Sequence, residues 1–118
     1  MLCMINGDFQ DTYDKLSQEL RRGILVLATL SQMDEQMYGY ALISHLAEKG
    51  LEIDQGTLYP LLRRLEEQGM LDSSWDVSGS RPRRYYVINA NGKAILEALT
   101  QEWKETTAVM DKLLANAT

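Results

Sequence analysis

Three arginines cluster in the segment 78–86, at Arg81, Arg83 and Arg84, with no acidic residue among them. Guanidinium groups bind phosphate oxygens through charge-assisted, often bidentate hydrogen bonds, so the cluster suits a polyanionic partner. The alternative is a turn whose charges only keep the protein soluble. The absence of any carboxylate in this short segment favours phosphate binding.

A second candidate surface lies on the segment 54–69, whose leucines recur with helical spacing. On a helical wheel these leucines share one side, whereas Gly56, Pro60 and Arg63 lie opposite them. Small residues let a helix approach a duplex closely, and an arginine can bind a guanine edge or a phosphate. The alternative is that Arg63 and Arg64 are solvated charges paired with the glutamates that follow them.

Tyrosines lie close to both candidate surfaces in the sequence. Strand alternation directs Tyr86 and Ile88 towards the core and Tyr85 away from it, so the Tyr85 hydroxyl can hydrogen-bond to a phosphate. Tyr38 and Tyr40 begin the second predicted helix, where one hydroxyl is expected to reach the DNA backbone. The other ring is expected to pack in the core.

Side chains for catalysis or metal binding are scarce. His45 and Cys3 are the only histidine and cysteine, and they lack the spacing of metal ligands. A nucleophile with its base, or a phosphate-binding loop, cannot be recognised in the remaining residues. We therefore expect no enzyme, no catalytic residues, no metal and no cofactor.

Composition indicates one small domain. The 118 residues, 45% of them hydrophobic, suffice for a single core. The net charge of -5 opposes DNA binding unless the basic side chains are concentrated in one patch. The sequence shows no leader, no run of apolar residues long enough to span a membrane and no pair of cysteines, which together predict a soluble cytoplasmic protein.

Hydrophobic spacing predicts three helices before the basic cluster. They cover about 12–31, 38–49 and 54–69, with the segment between the first two interpreted as a turn. Asp54 is expected to cap the third helix. The first turn of that helix is expected to be irregular, because Pro60 lacks an N–H.

Strand-forming residues on both sides of the basic cluster, at about 70–75 and 84–88, predict a β-hairpin. Trp75 in the first of these strands is interpreted as a packing residue. A long helix is predicted over about 91–114, with the three- and four-residue spacing of helices that pair. The sequence thus predicts a mainly α winged helix-turn-helix domain, with a small β-hairpin and a long C-terminal dimerisation helix.

This organisation divides the chain into three parts. The winged domain is expected over 12–89 and the dimerisation helix over 90–116, while residues 1–11 are expected to form a poorly ordered extension. The predicted dimer contacts come from the first and last helices. They are Leu16, Leu20, Leu96, Leu99, Trp103, Thr106, Met110 and Leu113.

Three motifs in this order resemble the PadR-like family of transcriptional regulators, in its short form with one C-terminal helix. They are YGY at 38–40, GTLYPLLRRLE at 56–66 and RRYY at 83–86. The resemblance implies a bacterial, repressor-like regulator that dimerises through its end helices, although the first ten residues and the acidity depart from the pattern. The expected DNA-binding residues are Tyr38, Gly56, Thr57, Tyr59, Pro60, Arg63, Arg64, Arg81, Arg83, Arg84 and Tyr85.

Trp103 lies in the middle of the pairing seam, where a bulky ring is a poor choice for tight packing. In some short PadR-like proteins the corresponding tryptophan lines a dimer cavity and stacks flat ligands. The resemblance therefore implies a site for a small planar hydrophobic effector at Trp103 and Leu99. An ordinary interface anchor is the open alternative, since tryptophan is enriched at interfaces.

The expected function is sequence-specific binding of double-stranded DNA, as a homodimer on a palindromic operator, relieved by a planar ligand. The rival is a winged-helix module that binds proteins without binding DNA, which the acidic composition would favour. The arginine cluster at 81–84 discriminates between them, because a protein-binding module has no need of it.

Overall fold

The computed structural model describes residues 7–116, which form four helices and one small sheet. The elements are α1 (Gly7–Ser31), β1 (Met37–Tyr38), α2 (Gly39–Glu48), α3 (Gln55–Glu67), β2 (Leu71–Asp76), β3 (Arg83–Ile88) and α4 (Ala90–Ala115). The predicted fold class, a mainly α winged helix-turn-helix with a long final helix, is confirmed.

The first helix begins earlier than the predicted start at residue 12. Residues 7–11, expected to be poorly ordered, form the beginning of α1, where Asp8 complements the positive end of the helix dipole. Residues 1–6 lie outside the described part of the chain. Only the second half of α1 reaches the core, through Leu25, Thr29 and Leu30.

The core is built around α3, because its leucines form one continuous apolar side. Leu58, Leu61, Leu62 and Leu65 are all buried against α1, α2 and the sheet. Pro60 lies inside α3, so this helix begins before the proline, as predicted. It starts after Asp54, which has the extended backbone of an N-cap residue, although its side chain makes no capping hydrogen bond.

The sheet has three antiparallel strands in the order β1-β3-β2, one more strand than the predicted hairpin. The extra strand, β1, lies in the segment interpreted as a turn, and it pairs Met37 with Tyr86 and Tyr38 with Tyr85. A two-residue strand is too short to show an alternating pattern. Its position matters because it joins the wing to the start of α2.

Trp75 is not the packing residue that the sequence predicted, since its side chain is 59% exposed. It lies near the outer end of β2, opposite Arg84 on β3, where the hairpin extends past the core. Tyr86 and Ile88 are buried, as strand alternation predicted. The outer half of the hairpin therefore presents an aromatic ring to solvent.

The start of α4 is fixed to the wing by Asn89. Its side-chain oxygen accepts a hydrogen bond from the Gly92 N–H at 2.9 Å, and its amide nitrogen donates to the Gly69 carbonyl at 2.9 Å. A side chain at Gly92 would collide with the Met70 carbonyl and with Ile88, so α4 and the sheet approach closely here. These contacts set the direction in which α4 leaves the domain.

Apolar side chains remain exposed on the first half of α1 and on α4, and no described helix is long and apolar enough to cross a membrane. Among the predicted dimer residues, Leu96 and Leu99 are half-buried within the protomer, and Leu96 packs against the core. The other predicted dimer residues are exposed: Leu16, Leu20, Trp103, Thr106, Met110 and Leu113.

Candidate nucleic-acid interface

The wing and α3 enclose a groove of about 520 Å³, called here the wing groove. Arg63 lines it from α3, and Arg81, Arg83 and Arg84 line it from the hairpin. With Tyr38 and Tyr59, six of the predicted DNA-binding residues are thus brought together in one groove. The groove also carries the rings of Tyr38, Tyr40, Tyr59, Trp75 and Tyr86.

The exposed side of α3, called here the recognition face, contains Gly56, Pro60 and Arg63. These residues lie opposite the buried leucines, as the helical wheel predicted. Within residues 7–116 the Arg63 side chain makes no ion pair, so the predicted alternative of pairing with the following glutamates does not occur there. Its guanidinium group is therefore free to bind another partner.

The remaining predicted residues of α3 lie on its two flanks. Thr57 and Arg64 are exposed on the flank towards α1. Tyr59, on the flank towards the wing, is half-buried with its ring against Gly39, where an added side chain would collide with it. The Tyr59 ring thus holds the start of α2 beside α3, which gives it a packing role at the edge of the wing groove.

Arg84, which the sequence predicted to bind phosphate, is half-buried and already has partners within the protein. Its guanidinium group forms an ion pair with Glu66 at 2.8 Å and a hydrogen bond to the Ser73 hydroxyl at 3.1 Å. The same group lies 5.4 Å from the Trp75 ring and 5.5 Å from the Tyr86 ring. The strand alternation that directs Tyr86 and Ile88 to the core also puts Arg84 on that face, so this signal could have identified its position.

Arg81 and Arg83 are the exposed arginines of the hairpin. Arg83 lies over the Tyr38 ring, with 5.1 Å between the guanidinium carbon and the ring centroid. The Tyr38 ring in turn stacks on Tyr85 at 4.2 Å and on Tyr40 at 5.8 Å. Stacking on a fixed aromatic face restricts the Arg83 side chain while leaving its N–H groups available.

The hydroxyl groups of Tyr38 and Tyr85 are engaged with Asp76, which the sequence analysis did not single out. The Tyr38 hydroxyl donates to Asp76 Oδ2 at 2.7 Å and lies 2.8 Å from the Tyr85 hydroxyl. This bonding raises the pKa of Tyr38. To contact DNA as predicted, either hydroxyl group would have to break these hydrogen bonds or share them with a phosphate.

Asp76 also shapes the turn at the tip of the wing. Its Oδ1 accepts hydrogen bonds from the Ser78 N–H at 3.0 Å and from the Ser78 hydroxyl at 2.6 Å. These bonds, with that from Tyr38, lower the pKa of Asp76 to about 2. The Asp-x-Ser spacing is a recognisable signal of an Asx turn and could have identified this residue.

The helix α3, with its exposed recognition face, is flanked by a basic wing, and the wing leads into the long helix α4. This arrangement is that of a winged helix-turn-helix protein, and it has the geometry to hold duplex DNA. The chain belongs to the PadR-like family of transcriptional regulators, whose family model matches residues 26–98. Members of this family are regulators of transcription and not enzymes.

Individual relatives agree with this assignment. A PadR family transcriptional regulator from Eggerthella lenta is 45% identical, with a TM-score of 0.81 over 90% of this chain and 95% of that chain. A PadR-like regulator from Bacillus cereus is 28% identical, with a TM-score of 0.71 over 81% of this chain and 96% of that chain. A transcriptional regulator from Mycobacterium tuberculosis is 40% identical over 63 residues, 53% of this chain and 59% of its own length.

Proposed function

We propose that this protein is a repressor that binds a two-fold symmetric operator as a homodimer. The observation that carries the proposal is the wing groove, in which Arg63 of the recognition face and Arg81 and Arg83 of the hairpin are all exposed. In this proposal Arg63 reads a base edge in the major groove, and the two wing arginines bind the flanking phosphate backbone.

The homodimer is supported by large apolar side chains that remain exposed on the described protomer. Trp103 is 47% exposed, Met110 40% and Leu113 58% on α4, and Leu20 is 72% exposed on α1. Exposed apolar patches of this kind mark association surfaces. A homodimer paired through them would present its two α3 helices about one helical turn, roughly 34 Å, apart on the duplex.

The operator can be identified by incubating the purified protein with sheared genomic DNA, washing at moderate salt and sequencing the retained fragments. We expect one two-fold symmetric motif with half-sites about 10 base pairs apart, or a multiple of that spacing. Retention of fragments with no common motif would contradict sequence-specific binding. Placing the recovered motif over a reporter promoter then tests repression directly.

The effector site is proposed at the α4 seam, beside Trp103 and Leu99. The Trp103 side chain is 47% exposed, so its own protomer leaves much of the ring uncovered. An aromatic ligand stacked on this ring would gain roughly 0.5–1.5 kcal/mol beyond the free energy of burying its apolar area. Such a ligand relieves repression only if it prefers a dimer geometry that differs from the DNA-bound one.

Fluorescence titration with planar dyes tests the effector site, with Trp75→Phe used to isolate the emission of Trp103. We expect saturable quenching and weaker operator binding in the presence of the dye. Quenching that persists in Trp103→Ala, or no quenching by any planar cation or neutral aromatic compound, would leave Trp103 as an interface anchor.

The rival function, a protein-binding module, is disfavoured by the exposed arginines of the wing. Within residues 7–116 neither Arg81 nor Arg83 forms an ion pair, although the chain has an excess of carboxylates. Cations left unpaired on an acidic protein suit an anionic partner.

A further inference from the structure

A second groove lies between α1 and α3, on the flank of α3 away from the wing. It has a volume of about 470 Å³ and is called here the α1 groove. Its basic residues are Arg21 and Arg22 from α1 and Arg64 from α3. Of these three arginines, only Arg64 is among the predicted DNA-binding residues, and no such role was predicted for α1.

The recognition face separates the two grooves. Pro60, on this face, lines the α1 groove, whereas Arg63 lines the wing groove. The major groove of B-DNA is about 12 Å wide and is bounded by one phosphate strand on each side. A duplex that accepts α3 in its major groove therefore brings one strand towards the wing and the other towards the α1 groove.

The charges of the α1 groove fit that second strand. Arg22 and Arg64 are exposed, and neither forms an ion pair within residues 7–116. The guanidinium group of Arg21 instead donates to the Glu52 carbonyl at 2.5 Å, which ties α1 to the connection before α3.

Two carboxylates also line the α1 groove and limit where a phosphate can lie. They belong to Glu52 and Asp54, and a side-chain hydrogen bond from Thr57 lowers the pKa of Asp54. A phosphate entering this groove is therefore attracted by Arg22 and Arg64 and repelled by the two carboxylates.

We propose that Arg22 and Arg64 bind phosphates of the strand that faces away from the wing. Each protomer then holds both strands that border one major groove, with Arg81 and Arg83 on one side and the α1 groove on the other. This inference rests on the proposed function, because it requires α3 to enter the major groove. It makes α1 part of the DNA interface.

The test is the salt dependence of binding to a labelled random-sequence duplex of about 30 base pairs, long enough for two half-sites. Each lost phosphate contact lowers the slope of log K against log salt by about 0.9. We expect Arg22→Ala with Arg64→Ala to lower the slope by about 1.8 per protomer. Lys112→Ala, which removes one positive charge at the end of α4, should leave the slope unchanged.

The outcomes separate this inference from the proposed function. A wild-type slope in the Arg22/Arg64 variant, together with a reduced slope in Arg81→Ala/Arg83→Ala, overturns the α1 groove and keeps the function. No salt-dependent binding by the wild type overturns both. Arg22→Gln with Arg64→Gln keeps most of the side-chain bulk, so a lower slope in this variant with an unchanged melting temperature excludes a folding defect and supports the proposal.

Discussion

The arginines of the wing and of α3 divide into those that hold the protein together and those that remain available. Arg84 is paired with Glu66 on α3 and lies near the rings of Trp75 and Tyr86. Arg63 and Arg81, by contrast, are exposed and form no ion pair within residues 7–116. Clustering in the sequence cannot separate these roles, because they depend on which face of the sheet each side chain occupies.

Arg63 should determine base preference. Replacing it with alanine removes the one guanidinium group on the recognition face, and we expect operator affinity to fall by about 1–3 kcal/mol with relaxed preference at one position of each half-site. Selection from a randomised duplex pool measures this. Lys49→Ala, at the end of α2, is the charge-matched control, and an unchanged motif in Arg63→Ala would show that this side chain does not read bases.

Asp76 should stabilise the wing in a pH-dependent manner. Its pKa in the folded protein is about 2, below the ordinary 3.8, so its contribution is present above pH 3.8 and is lost as the pH falls towards 2. We expect Asp76→Asn to melt below the wild type at neutral pH, with the difference shrinking over that acid range. A difference in melting temperature that is constant with pH would show that the ionised carboxylate contributes nothing.

Among the elements, long periodic segments could be predicted and short ones could not. The leucines of α3 identified the helix despite Pro60, because four buried side chains repeat on one side. The strand β1 has only two residues and exists because Met37 and Tyr38 meet β3, a contact distant in sequence. The hydrogen bonds among Tyr38, Tyr85 and Asp76 escaped prediction because they too depend on β1, which brings residues distant in sequence together.

The α4 helix should carry the dimer contacts. Met110→Lys with Leu113→Lys places two charges in the apolar seam, and we expect a monomer at micromolar concentration, because burying unpaired charges costs several kcal/mol. Sedimentation velocity measures the mass. Ala108→Lys, on the opposite side of α4, should remain dimeric, and a dimeric double variant would place the interface elsewhere.

The whole molecule resolves the conflict between a net charge of -5 and a polyanionic partner by separating its charges. The available arginines border α3, while α1 and α4 carry many of the acidic residues, including Asp8, Asp11 and Asp14 at the start of α1. Local potential, more than net charge, governs the approach of DNA. The acidic composition could therefore predict weak DNA binding by most of the surface, but it could not predict where the basic patch lies.

The central claim is that the wing and the recognition face hold duplex DNA, and the most direct test is the salt dependence of binding to the recovered operator. We expect Arg81→Ala with Arg83→Ala to lower the slope of log K against log salt by about 1.8 per protomer. The same variant should weaken binding to operator and to random-sequence duplexes alike. An unchanged slope in this variant, with the wild type binding the operator normally, would contradict the account.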